Sequence, residues 1–245
     1  MLLAISLSAV VGITLGLLGG GGSILTVPLL VYVLDVPEKP AIAASLLVVG
    51  VTAAFASIGH ALKGNVRWKI GLLFSAGGMA GAFVGGKVGA LLPSALLLGL
   101  FAAMMLVTGI AMWRGKKEVE GDGNLSVKLA LIEGFIVGGV TGLVGAGGGF
   151  LVVPALALLG GLKMKEAVGT SLVVIALKSM AGFAGYASSV QIDYALTTQV
   201  TVAAVVGSFI GARLVNVIDQ EKLRKGFAVF VVIMGAVIMF KQFAG

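Results

Sequence analysis

Lys178 and Glu133 are ionisable side chains inside long apolar stretches of this 245-residue chain, and that setting nominates both for chemistry. Lys178 falls midway along residues 166–188, so at ~1.5 Å per residue it belongs near the centre of a bilayer that the stretch crosses. A charge there costs about 2.5–3.5 kcal/mol on insertion scales and is a functional hypothesis by default. The amine can pair with an anionic substrate, or with Glu133, the one carboxylate inside an expected span. Glu133 can carry a coupling proton. It also lies only a few residues past Lys128, close enough to the cytoplasmic face to be solvated instead.

Two glycine runs offer a different chemistry, that of the bare backbone. Gly16, Gly19, Gly20, Gly21, Gly22 and Ser23 lead to Pro28; Gly142, Gly145, Gly147, Gly148 and Gly149 lead to Pro154. Such runs break helices. The short helices expected after Gly22 and Gly149 would present unpaired N–H groups and a positive dipole end. In a dry interior those donors suit an anion, and broken helices at matching places in two halves mark the binding sites of many secondary transporters. The plainer alternative is close helix packing. Ser45 and the pair Thr170 and Ser171 recur in matching segments and can complete an oxyanion shell. Thr197, Thr198, Gln199 and Thr201 offer further donors, although bridging helices is the commoner use of such groups in membranes.

Other features carry less. His60 is the single histidine; without carboxylate neighbours it makes no metal site, and a hydrogen-bonded role at the cytoplasmic end of its helix is expected. No cysteine is present, so neither disulfides nor a thiolate metal site arises, and no cofactor is expected. Gly81 to Lys87 nearly spells a phosphate-binding loop, but Val88 follows where Ser or Thr belongs. Gly77, Gly81, Gly85 and Gly89 instead make a four-residue stripe suited to helix packing.

The elements that must hold these groups are membrane helices. Hydrophobic residues make up 59% of the chain and charged ones 11%, well under the quarter usual in soluble domains, so a polytopic membrane protein is expected. An offset of 126 residues carries Gly16 to Gly142, Pro28 to Pro154, Ser45 to Ser171, His60 to Tyr186 and Lys87 to Arg213 without a gap. Two copies of one fold follow: a first transmembrane repeat at 1–113, a polar cytoplasmic linker at 114–127 and a second repeat at 128–245. Each reads as five apolar segments: 2–18, 23–34, 40–62, 68–91 and 94–113, then 128–144, 149–160, 166–188, 194–215 and 221–240. The second of each set is too short to span.

Loop charges give the orientation. The loop with Lys63, Arg67 and Lys69 is basic, while its repeat partner at 188–193 has no basic residue. The loop with Asp35, Glu38 and Lys39 is net acidic, and its partner with Lys163, Lys165 and Glu166 is net basic. Equivalent loops therefore swap sides, as an inverted-topology repeat requires, and both termini fall outside. The net charge of +7 reads as topology first and as a modest bias toward anions second; no nucleic-acid partner is implied.

The paired glycine breaks ending in Pro28 and Pro154, the helices with Ser45 and with Gly169, Thr170 and Ser171, and the overall length resemble the sulfite exporter TauE/SafE family. The resemblance covers essentially the whole chain. It implies transport of sulfur-containing anions such as sulfite, thiosulfate or organosulfonates across the cell membrane; the residues alone imply only a small anion.

The expectation is thus an all-α membrane protein of two inverted repeats, with half-helices meeting near the midplane. It would act as an alternating-access transporter, with a proton as a candidate co-substrate. A passive anion channel or a carrier of another organic anion are the alternatives. A membrane enzyme is disfavoured, because one buried carboxylate, one interfacial histidine and no cysteine are too thin a set for hydrolysis or redox work. The glycine stripes serve internal packing or a homodimer equally well.

Overall fold

Long apolar segments in lipid must satisfy every backbone polar group internally, and helices do so within a single segment. The computed structural model describes residues 2–18, 21–114, 127–145, 147–158, 161–214 and 220–244. All the secondary structure among them is helical. The elements are α1 (Leu2–Leu18), a 3-10 turn (Gly21–Leu25), α2 (Thr26–Tyr32), α3 (Glu38–Leu62), α4 (Trp68–Leu91) and α5 (Ser94–Arg114). Then follow α6 (Val127–Val144), α7 (Gly149–Leu158), α8 (Met164–Ala187), α9 (Tyr194–Leu214) and α10 (Gln220–Ala244). Among the described residues six helices, α3, α4, α5, α6, α8 and α9, are long and apolar enough to cross a membrane. Each of the ten expected segments corresponds to one helix; the first is followed by the glycine run, and α2 is preceded by its 3-10 turn. Most of the linker, together with Gly19 and Gly20, lies outside the described residues.

Lipid tails are as apolar as leucine, so helices associate in a bilayer through close packing rather than hydrophobic burial. Glycine makes that approach possible here. A Cβ at Gly77, Gly81 or Gly85 of α4 would collide with the carbonyl of Leu131, Phe135 or Gly139 of α6. From the other side, Gly134, Gly138 and Gly142 press on the carbonyls of Phe74, Gly78 and Ala82. The contacts advance together along both chains, so α4 and α6 run in the same direction, backbone to backbone. The α4 stripe is indeed a packing device.

A second seam repeats the first. Gly12 and Gly16 of α1 meet Ala204 and Ser208 of α9, and Gly207 and Gly211 meet Ala9 and Ile13. The 126-residue offset takes α1 to α6 and α4 to α9, so these are one interface formed twice. Each joins the first helix of one half to the fourth helix of the other.

At the centre α3 crosses α8 in the opposite sense. His60 lies against Gly169, Gly50 against Ser179 and Met180, and Leu46 against Gly182. In contrast α8 runs with α4, since Gly71 meets Thr170, Gly78 meets Lys178 and Gly86 meets Gly182. Phe55 of α3 stacks edge-on with Phe209 of α9 at 6.5 Å between centroids. Ala44 and Val48 of α3 share a cluster with Val200 and Ala204 of α9, so this pair too runs in one direction. On one face Arg67 bridges to Glu166 at 2.6 Å, joining the α3–α4 loop to the start of α8. On the other, Lys39 Nζ donates to Ala90 O at 2.8 Å, and Lys241 sits 4.8 Å from the centre of the Tyr32 ring.

Candidate functional site

The second glycine break takes its shape from three left-handed residues. Gly145, Gly147 and Gly148 have φ of 74°, 58° and 66°, values that L side chains avoid. The Gly145 N–H closes α6 on Thr141 O at 3.0 Å, and Gly148 O accepts from Leu151 and Val152, each at 3.0 Å, to restart the chain as α7. Helix α3 supports this loop. Ser45 Oγ lies 2.5 Å from Gly145 O and 2.8 Å from Ile42 O, sharing its proton between the two carbonyls. One turn further along, Val49 presses against Gly147.

The two breaks meet. A Cβ on Gly147 would lie 3.3 Å from the Cβ of Ser23, in the 3-10 turn Gly21–Leu25 of the first break. Short helices do follow both breaks, although the first opens with that 3-10 turn, begun at Gly21, before α2 starts at Thr26. The start of α7 at Gly149 is buried.

Lys178 reaches this junction from α8. It is 1% exposed, and its Nζ fills the space that a side chain on Gly148 would need. Its hydrogen bond is to Thr141 Oγ1 at 2.9 Å, and that hydroxyl passes its own proton to Val137 O at 2.8 Å. A protonated lysine has three donors, and Thr141 accepts one. Among the described residues the ion pair formed is Arg67–Glu166, at the surface, so no carboxylate neutralises Lys178.

The structure thus brings Ser23, Ser45, Gly145, Gly147, Gly148 and Lys178 together, while Thr170 and Glu133 stand apart from them. Thr170 is an anchor for the α3–α4 loop: its Oγ1 accepts the Arg67 N–H at 2.9 Å. Eight residues separate it from Lys178, about 12 Å along the helix. Ser171 donates to Val168 O at 2.7 Å. The expected alternative of a Lys178–Glu133 ion pair is not formed. Glu133 stands two turns before Thr141 on α6, about 12 Å away, and its Oε2 is buried with no hydrogen-bond partner. His60 Nδ1 is buried and has no hydrogen-bond partner. Thr197, Thr198 and Thr201 each donate to the carbonyl four residues back, at 2.6–2.7 Å.

Thr141 is the residue that sequence reasoning passed over. Its repeat mate is Leu15, so symmetry did not select it; the available signal was a hydroxyl one turn ahead of a glycine break.

A polytopic chain whose described residues form only helices, six of them of bilayer length, with two apposed helix breaks, has the build of a membrane transporter. The family profile described as "Sulfite exporter TauE/SafE" matches residues 4–238, and the chain belongs to that family. Its relatives include a "Probable membrane transporter protein" of Xylella fastidiosa (strain 9a5c), 32% identical over 254 residues that cover 100% of this chain and 97% of the relative. "Probable membrane transporter protein YdhB" of Bacillus subtilis (strain 168) is 27% identical over 98% of this chain and 100% of its own. No solved structure matches this chain.

Proposed function

We propose that this protein is a secondary transporter of small sulfur-containing oxyanions, such as sulfite, thiosulfate or an organosulfonate, acting in the cell membrane by alternating access. One observation carries the reading: a fully buried lysine, with no carboxylate beside it among the described residues, stands where two glycine breaks touch. A buried cation needs a counter-charge. In the substrate-bound state the anion supplies it, with the backbone N–H groups of Gly147, Gly148 and Gly149 and the turn at Gly21, Gly22 and Ser23 as further donors. Gly19 and Gly20 extend that first break in sequence.

Helix directions support an inverted repeat. α1, α3 and α9 run one way and α4, α6 and α8 the other, so the first helices of the two halves oppose each other. The Arg67–Glu166 bridge brings the Lys63, Arg67 and Lys69 loop to the same face as Lys163 and Lys165. By the positive-inside rule that face is cytoplasmic. Rocking one bundle against the other would expose the breaks to each side in turn. Glu133, with a buried and unpartnered carboxylate oxygen on the cytoplasmic half of α6, is the candidate carrier of a coupled proton.

Counterflow tests the proposal. Proteoliposomes preloaded with unlabelled sulfite should accumulate labelled sulfite transiently above equilibrium. Simple equilibration at channel-like rates, with no overshoot, would overturn alternating access.

A further inference from the structure

We propose that Thr52 is a second substrate-contacting residue, the repeat mate of Lys178, offering its hydroxyl to the same anion from the other half of the protein. The proposal rests on the transport reading above and adds a residue to its site.

The 126-residue offset sends Thr52 to Lys178. The antiparallel crossing of α3 and α8 then brings those positions toward each other. His60 meets Gly169, Gly50 meets Ser179, and Leu46 meets Gly182. Along that register each helix meets its own repeat mate at residues 51–52 of α3 and 177–178 of α8. The axis relating the halves therefore passes beside Thr52 and Lys178, and a ligand on it is within reach of both.

Thr52 also continues a face already committed to the glycine breaks. Ser45, Val49 and Thr52 are spaced i, i+4, i+7, one stripe of a helix. Ser45 holds Gly145 and Val49 presses on Gly147, so the next side chain along that stripe is Thr52. Lys178 closes on Gly148 from α8.

The hydroxyl itself is the independent observation. Thr52 is 1% exposed and its Oγ1 has no hydrogen-bond partner. Elsewhere in these helices Thr108, Thr141, Thr197, Thr198 and Thr201 each give their proton to the carbonyl four residues back. Thr52 does not use Val48 O in this way. Buried hydroxyls are almost always satisfied, so a donor left unused at the axis points to a partner that arrives with the substrate. Ser179, next to Lys178 and facing Gly50, is buried and unpartnered in the same manner. The arrangement joins a cation from one half to a hydroxyl from the other. An anion with two or more acceptor oxygens satisfies both at once.

The test compares T52V, nearly isosteric but without the hydroxyl, with T52S, which keeps it. Labelled-sulfite flux in proteoliposomes gives KM and maximal rate; the sulfite-induced rise in Tm of the purified protein reads binding without transport. T52V should raise KM and weaken the thermal response about tenfold, the scale of one lost hydrogen bond to a charged ligand, while T52S stays within about twofold of wild type. Should T52V fail to give monodisperse protein, T52A reads the same loss. Wild-type KM and thermal response in T52V, from a protein that transports sulfite, would overturn the Thr52 assignment and leave the transport reading standing. A wild-type protein that neither carries nor is stabilised by any sulfur oxyanion would overturn both.

Discussion

Replacing Lys178 with methionine separates its role in binding from any role in folding. The side chain is fully buried and its stem packs at Gly78, so methionine fills much the same volume. The hydrogen bond that is lost runs to Thr141, whose hydroxyl keeps its bond to Val137 O, so no buried donor is orphaned. Removing an amine that no carboxylate among the described residues neutralises also removes a desolvation cost. Stability should therefore hold within about 1 kcal/mol of wild type, or rise. Binding should behave differently. Losing one partner of a buried charge pair costs about 3–5 kcal/mol. Even about 3 kcal/mol is roughly a hundredfold in affinity, since 1.4 kcal/mol is tenfold. Thermal unfolding in detergent and sulfite KM in proteoliposomes are the paired assays. A Tm near wild type with KM raised roughly a hundredfold is expected. An unchanged KM would refute the reasoning, as would a collapse in Tm showing that the amine serves the fold.

Three further outcomes follow from the same geometry. G81L sets a branched side chain against the Phe135 carbonyl and should abolish folded protein in size-exclusion profiles, whereas G59A, with open space at its Cβ, should express as wild type. G147A meets both a φ of 58° and the Val49 side chain, so a loss of about 2 kcal/mol or more of stability should accompany any loss of flux, measured by thermal unfolding. T170V leaves the Arg67 N–H without its acceptor and should lower stability by about 1–3 kcal/mol while sulfite KM stays unchanged, because this hydroxyl serves a loop.

The architecture was largely legible because periodicity and punctuation in a membrane chain are strong signals. The helices at Leu2–Leu18 and Trp68–Leu91 coincide with their expected segments, and α3 begins only two residues early because Pro40 is tolerated in a first turn. The glycine breaks and Lys178 could be found from their positions inside apolar stretches, since each is expensive or disruptive there unless used. Register between helices was not legible. Thr170 adjoins Ser171, yet one residue turns a helical side chain by about 100°, and its hydroxyl faces the loop. Lys178 and Glu133 looked like natural partners by charge, but the α4, α6 and α8 seams set them two turns apart, and glycine contacts of that kind are decided in three dimensions. Thr141 escaped notice because the repeat comparison favours symmetric residues, and its mate is leucine.

The most direct test of the central claim is uptake of labelled sulfite by proteoliposomes of the purified protein, with and without a pH gradient, against thiosulfate, sulfoacetate, sulfate and chloride as competitors. The account predicts saturable uptake, inhibited by sulfur oxyanions and responsive to the gradient, the response disappearing in E133Q. Absence of saturable uptake, or uptake indifferent to every oxyanion competitor, would contradict it.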